Sequence, residues 1–100
     1  MGIYDRLKAR GHCPHCAQKQ VWMVQYKYGD TRCRDRKLGE HVGGAVLAGV
    51  IVTSGIAEGG CPACGAEVWA AVYIRDGRLW NVGLLRTDPM FEGGYEPVRE

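Results

Sequence analysis

The chain has 100 residues and a net charge of +2, with 46% hydrophobic and 24% charged residues. This is the size and balance of one water-soluble domain. The longest apolar stretch, Ala45 to Val52, excludes a membrane-spanning helix, because crossing a bilayer takes about 20 residues. The 15 glycines, about twice the usual share, favour a fold rich in strands and tight turns over a helical one.

The opening residues carry no apolar core of the length found in a secretory signal, so we expect a cytoplasmic protein. Thiols stay reduced in that compartment. The five cysteines of the chain therefore point to metal or redox chemistry rather than to disulfides.

The first half of the chain predicts strands separated by glycine breaks. Residues 1–12 are predicted as one helical turn leading into a strand. Residues 20–28 (QVWMVQYKY) are predicted as a strand, because they are rich in residues that favour strands and two sets of side chains alternate along them. Residues 31–41 are charged and fit either an exposed strand or a loop. Residues 45–54 are apolar, and the flanking glycines favour a strand over a short helix.

The clearest local signal is a C-terminal β-hairpin. Residues 66–75 and 78–86 are apolar-rich runs separated by Asp76-Gly77, a pair that suits a two-residue turn with positive φ at its centre. Residues 87–100 contain two prolines and a glycine pair. We therefore predict a domain over residues 1–86 and a flexible tail over residues 87–100.

Two Cys-Pro-x-Cys motifs, each a candidate metal knuckle, lie at residues 13–16 and 61–64. Two cysteines three positions apart bring both sulfurs to one point if the backbone between them turns tightly, and the proline presets φ for such a turn. The position after the second cysteine favours a residue that tolerates positive φ. Gly65 stands there in the second knuckle and Ala17 in the first.

Two knuckles supply four thiolates, which is the ligand set of a closed structural zinc site. The predicted metal ligands are Cys13, Cys16, Cys61 and Cys64. The 44 residues between Cys16 and Cys61 exceed the roughly 15–20 of the simple motif, so they must contribute strands of their own. His12 and His15 flank the first knuckle, but four cysteines already complete the set. Cys33 could be a fifth thiol near the site, a redox partner or an alternative ligand, and the interpretation that we favour is a small, partly buried residue.

The sequences Cys13-Pro14-His15-Cys16 and Cys61-Pro62-Ala63-Cys64-Gly65 resemble the zinc-ribbon and rubredoxin-like group. In that group two such knuckles face each other across a small antiparallel sheet. The resemblance implies a mostly β zinc ribbon with added strands, and it leaves open iron in the same thiolates, as in rubredoxin-like electron transfer. More loosely, the opening MGIYD, Cys33 and Leu38-Gly39-Glu40 resemble short uncharacterised bacterial and phage proteins, which implies no activity.

Positive charge is concentrated in the first half of the chain. Residues 1–40 hold nine Lys or Arg against four acidic residues, whereas residues 41–100 hold four Arg against seven. The candidate surface for an anionic partner is a basic patch of Lys27, Arg32, Arg34, Arg36 and Lys37. An ordinary solvated surface or a charged edge strand explains the same residues, so nucleic-acid binding is an alternative.

No catalytic arrangement is visible in the sequence: we find no serine triad, no phosphate-binding loop and no zinc site with an open position. The predicted function is therefore a non-enzymatic binding or scaffolding module with an unidentified protein partner and no membrane association. The alternatives are nucleic-acid binding through the basic first half and electron transfer with iron.

Overall fold

A computed structural model describes residues 4–28, 34–43, 48–91 and 94–98. The fold class predicted from the sequence is confirmed, since the described residues are mostly strand and contain no helix. The predicted helical turn near the N-terminus is wrong over residues 4–12, where a strand begins at Asp5. Within these ranges, no helix of a length and hydrophobicity that could cross a membrane is found.

The described residues form seven strands of one sheet. They are β1 (Asp5–His12), β2 (Lys19–Tyr26), β3 (Asp35–Arg36), β4 (Val50–Ala57), β5 (Trp69–Arg75), β6 (Arg78–Leu85) and β7 (Tyr95–Pro97). The order across the sheet is β3-β1-β2-β4-β5-β6, and β7 pairs with β4. All pairings are antiparallel except that of β3 with β1.

The side-chain alternation predicted for the second strand is confirmed. Trp22, Val24 and Tyr26 are buried in the core, whereas Val21 on the opposite face is 54% exposed. The core continues through β1, β4, β5 and β6. The short strand β3 and residues 39–42 extend it. The Gly39 amide donates to the Leu79 carbonyl and the Val42 amide donates to the Gly77 carbonyl. The segment after β3, at one edge of the sheet, is therefore linked to the start of β6 at the other edge.

The C-terminal hairpin is also confirmed. Asp76 and Gly77 both have positive φ, at 49° and 79°, as a two-residue turn between twisted strands requires. The turn is anchored to the start of β4, because Gly49 donates a hydrogen bond to the Asp76 carboxylate at 2.7 Å. The strand predicted over residues 45–54 begins at Val50, and its residues 45–47 lie outside the described ranges.

The C-terminal segment adds the last strand. β7 pairs with residues 51–53 of β4. β2 pairs with residues 55–57 of β4, so the two strands share one edge of β4. The Thr53 hydroxyl donates to the Gly94 carbonyl at 2.7 Å, and Tyr28 and Tyr95 meet edge to face at 5.2 Å. The flexibility predicted for residues 87–100 concerns motion and stays a prediction.

Candidate metal centre

The sheet topology places both cysteine motifs at the same end of the molecule. The first motif lies in the loop from β1 to β2, and the second lies in the loop from β4 to β5. Because β2 runs antiparallel to β1 and β4 runs antiparallel to β2, both loops emerge from one end of the sheet. Two motifs that are separated by 44 residues in the sequence therefore face each other.

The four predicted ligands converge on one point. The sulfur atoms of Cys13, Cys16, Cys61 and Cys64 all lie within 4.8 Å of one another. The distance from Cys13 Sγ to Cys64 Sγ is 3.9 Å, and that from Cys16 Sγ to Cys61 Sγ is 3.7 Å. All four cysteines are free thiols, and these separations are far beyond the ~2.05 Å of a disulfide.

The sulfur separations fit a metal ion. A tetrahedron of thiolates with metal–sulfur distances of about 2.3 Å has edges of about 3.8 Å, which is close to both measured distances. Cys13 and Cys61 are buried, Cys16 is half-buried and Cys64 is exposed. The cluster therefore has the geometry of a site that could hold a metal ion, and it is exposed to solvent at Cys64.

The two knuckles have equivalent backbone hydrogen bonds. Within each knuckle, the amide after the second cysteine donates to the carbonyl of the first: Ala17 to Cys13 at 2.9 Å and Gly65 to Cys61 at 2.8 Å. Both donors have positive φ, at 64° and 74°. The sequence predicted this conformation for Gly65, and the structure shows that Ala17 adopts it as well.

A backbone amide also points at a sulfur of the first knuckle. The His15 amide donates to Cys13 Sγ at 3.4 Å. Nearby backbone amides act to lower the pKa of each cysteine by favouring its thiolate: those of Cys16 and His15 act on Cys13, those of Cys64 and Ala63 act on Cys61, that of Gln18 acts on Cys16 and that of Ala66 acts on Cys64. The thiolate is the form that a metal ligand must have.

The surroundings of the sulfurs make the pKa values of the thiols unequal. The amide of Cys64 lowers the pKa of Cys61 to about 7, helped by the amide of Ala63 against the effect of burial. The Gln18 amide favours the thiolate of Cys16, but burial and the neighbouring thiols outweigh it and raise the pKa of Cys16 to about 11. Cys61 is therefore the thiol that ionises first of these two.

Two residues near the cluster support it without joining it. His15 is not part of the convergent set, because its Nε2 lies 3.1 Å from the carbonyl oxygen of Glu67 and connects the first knuckle to the chain after the second. The Trp22 indole donates to the Gly11 carbonyl at 3.0 Å, just before Cys13. Cys33 lies outside the described residues.

The described members of the predicted basic patch differ in exposure. Arg36 is buried and its Nε lies 2.8 Å from Oδ2 of the buried Asp5, while its Nη1 donates to the His41 carbonyl at 2.7 Å. Lys27, Arg34 and Lys37 are exposed, and Arg32 is outside the described residues. Binding of an anionic partner by this patch stays a prediction.

Sequence reasoning overlooked a second basic surface. Lys8 and Arg10 alternate with buried residues on β1 and lie beside Lys37 in a groove of about 520 Å³. The alternation of Leu7, Lys8, Ala9 and Arg10 is the signal that could have found it.

Comparison with protein-family models, with curated proteins and with solved structures found no match to this chain. The likeness to zinc ribbons rests on the cysteine cluster and the β-rich fold alone.

Proposed function

We propose that the four cysteines hold one structural zinc ion and that the chain is a non-enzymatic binding or scaffolding module. The observation that carries the proposal is the convergence of four free sulfurs. Cys13 Sγ lies 3.9 Å from Cys64 Sγ, and Cys16 Sγ lies 3.7 Å from Cys61 Sγ. Such spacing suits tetrahedral zinc, whose structural sites are closed by four protein ligands.

The ligand set supports a structural role over a catalytic one. A catalytic zinc site has three protein ligands and leaves a position for water or substrate. Here four cysteines fill the set, and His15 is engaged with the Glu67 carbonyl. The proposal also implies a reducing location such as the cytoplasm, where the thiols remain available.

The ion ties together two parts of the sheet that share little backbone pairing. β1 and β2 pair over eight residues and β4 and β5 over seven, but β2 and β4 pair over only three. One knuckle belongs to each of these hairpins. Zinc would therefore act as a clamp between the two hairpins.

Electron transfer with iron in the same four thiolates is the alternative, and the sulfur geometry suits both ions. Elemental analysis of untagged protein beside its visible spectrum separates them. About one zinc per chain and a colourless solution support the proposal. Iron with strong visible absorption that can be bleached by a reductant would replace it with electron transfer, and protein without metal would overturn both.

A further inference from the structure

The outer edge of β1 has no strand partner beyond its first residues. β3 pairs only with Arg6 and Leu7, after which the chain turns away at Leu38 and Gly39. The Arg6 amide points outward and donates to the Arg34 carbonyl. Because backbone groups alternate in direction along an antiparallel strand, Lys8 and Arg10 also direct their amides and carbonyls outward. Nothing in the described part of the chain pairs with them.

A groove runs along this free edge. It has a volume of about 520 Å³ and is lined by Lys8, Ala9 and Arg10 on one side and by Lys37 and Leu38 on the other. At its far end the Leu84 side chain closes the edge, since a Cβ on Gly11 would lie 3.1 Å from Leu84 Cδ1. The open stretch is therefore short and bounded at both ends.

The lining of the groove is positively charged. Among the described residues, its lining contains three cations and no carboxylate, and Leu38 adds an apolar side chain that is 48% exposed. Two carboxylates lie close to the groove along the chain: Asp35 is bound by Arg6 at 2.7 Å, and Glu40 accepts from the Lys37 amide at 2.6 Å. Within the described residues, Lys8, Arg10 and Lys37 form no ion pair.

We propose that this groove, the β1-edge groove, docks an extended acidic segment of a partner protein, which adds to β1 as a further strand. Strand addition uses the free backbone groups of an exposed edge for affinity and the flanking side chains for specificity. Charge complementarity then selects acidic segments. The same cations discourage pairing with a second copy of this edge. The inference deepens the proposed role as a binding module and depends on it.

The groove fits an acidic peptide better than a nucleic acid. Proteins that bind single strands combine a basic groove with aromatic side chains on which bases stack. No aromatic residue lines the β1-edge groove, and Trp22 and Tyr26 on the neighbouring strand are buried. The backbone edge, by contrast, is the feature that an extended peptide requires.

The test uses metal-loaded protein and three fluorescent probes measured by anisotropy: a peptide of alternating Glu and Val, its counterpart of alternating Lys and Val, and a single-stranded oligothymidine. We expect the Glu/Val peptide to bind and the Lys/Val peptide not to bind. Reversing two groove charges in Lys8→Glu/Arg10→Glu should weaken binding by about tenfold or more. Lys27→Glu, a charge reversal outside the groove, is the control and should have a smaller effect.

Strand addition requires backbone hydrogen bonds from the peptide, whereas simple charge attraction does not. A Glu/Val peptide that is N-methylated at every residue keeps its charge but has no backbone N–H group to donate, so we expect its binding to be lost. Hydrogen exchange at the amides of Lys8 and Arg10 should slow when the unmodified peptide binds.

Equal binding of the methylated peptide, no binding of the Glu/Val peptide, or an equal effect of Lys27→Glu would overturn the proposal. Binding of oligothymidine alone would assign the groove to nucleic acid instead. Metal content and circular dichroism are measured on each variant. A metal-free protein that still binds the peptide would count against the zinc proposal and leave the docking surface standing.

Discussion

Ala17 and Gly65 occupy the same position in the two knuckles, and both have positive φ. An L-residue in this conformation is destabilised by about 1–2 kcal/mol, because its Cβ approaches the following carbonyl, whereas glycine has no such penalty. A Cβ on Gly65 would meet nothing within 4 Å, so conformation alone separates the two residues. The knuckles are therefore a matched pair for measuring that effect.

We expect Ala17→Gly to raise the free energy of unfolding by up to about 1 kcal/mol and Gly65→Ala to lower it by about 1–2 kcal/mol. The measurement is urea unfolding of the metal-loaded variants. Gly60→Ala is a useful comparison, because its Cβ would lie 2.8 Å from the Ala66 carbonyl oxygen and should cost more. A destabilising Ala17→Gly would contradict the role assigned to backbone conformation.

The metal ligands are the residues on which stability depends most. Structural zinc contributes about 10–16 kcal/mol in small peptides, which is comparable to the 5–15 kcal/mol stability of a whole domain. We expect Cys61→Ser to lose the metal and a large part of its stability, seen as a lower metal content, an altered circular dichroism spectrum and a lower melting temperature. Cys33→Ser, the cysteine outside the four ligands, should retain about one metal per chain. A native spectrum and melting temperature for Cys61→Ser would argue against a structural site.

At the scale of elements, the buried pair of Asp5 and Arg36 fastens β3 to β1. The Asp5 carboxylate accepts from Arg36 Nε at 2.8 Å and from the Arg34 amide at 2.9 Å. Both side chains are almost fully buried, with exposures of 0% and 8%. Since β3 has only two residues and little backbone pairing, this buried ion pair adds to its attachment.

We expect Asp5→Ala to lower the free energy of unfolding by about 3–5 kcal/mol, because it leaves the Arg36 charge buried without compensation. The matched control is Asp35→Ala, which breaks the exposed ion pair with Arg6 and should cost no more than about 1 kcal/mol. Denaturant unfolding of both variants gives the comparison. A similar loss in the two variants would show that burial of the pair has no special effect.

Local chemistry made some elements predictable. The CPxC motifs carry their own turn geometry, Asp76-Gly77 encodes a hairpin, and the alternation around Val24 marks a strand with one buried face. The burial of Arg36 was not predictable from its neighbourhood, because alternating arginines have the pattern of a solvated strand and the compensating carboxylate lies 31 residues earlier. The pairing of Tyr95–Pro97 with β4 likewise depends on a distant partner, and the segment itself has little strand character.

At the scale of the whole molecule, the sheet consists of two well-paired groups of strands that are joined along a narrow boundary. β1 and β2 form one hairpin, and β4, β5 and β6 form a meander. Among the described residues, the pairing of β2 with β4 covers Val24–Tyr26 and Gly55–Ala57, and one further backbone hydrogen bond runs from the Glu58 amide to the Met23 carbonyl. Gly55 permits this close approach, since a Cβ there would lie 2.7 Å from Val24 Cγ1 and 2.9 Å from the Gln25 carbonyl oxygen.

The metal site spans the same boundary. Removing the ion should therefore weaken the pairing of β2 with β4 before it weakens the rest of the sheet. We expect chelation to accelerate hydrogen exchange at the amides of residues 24–26 and 55–57 more than at those in the pairing of β5 with β6. The latter pairing lies within the meander and extends from Trp69 to Arg75 without a contribution from the knuckles. Exchange mass spectrometry before and after chelation, with zinc restored as the reversal control, measures the difference. Uniform acceleration across the sheet would mean that the ion stabilises the domain as a single cooperative unit, and unchanged exchange everywhere would mean that the four thiolates do not clamp the hairpins together.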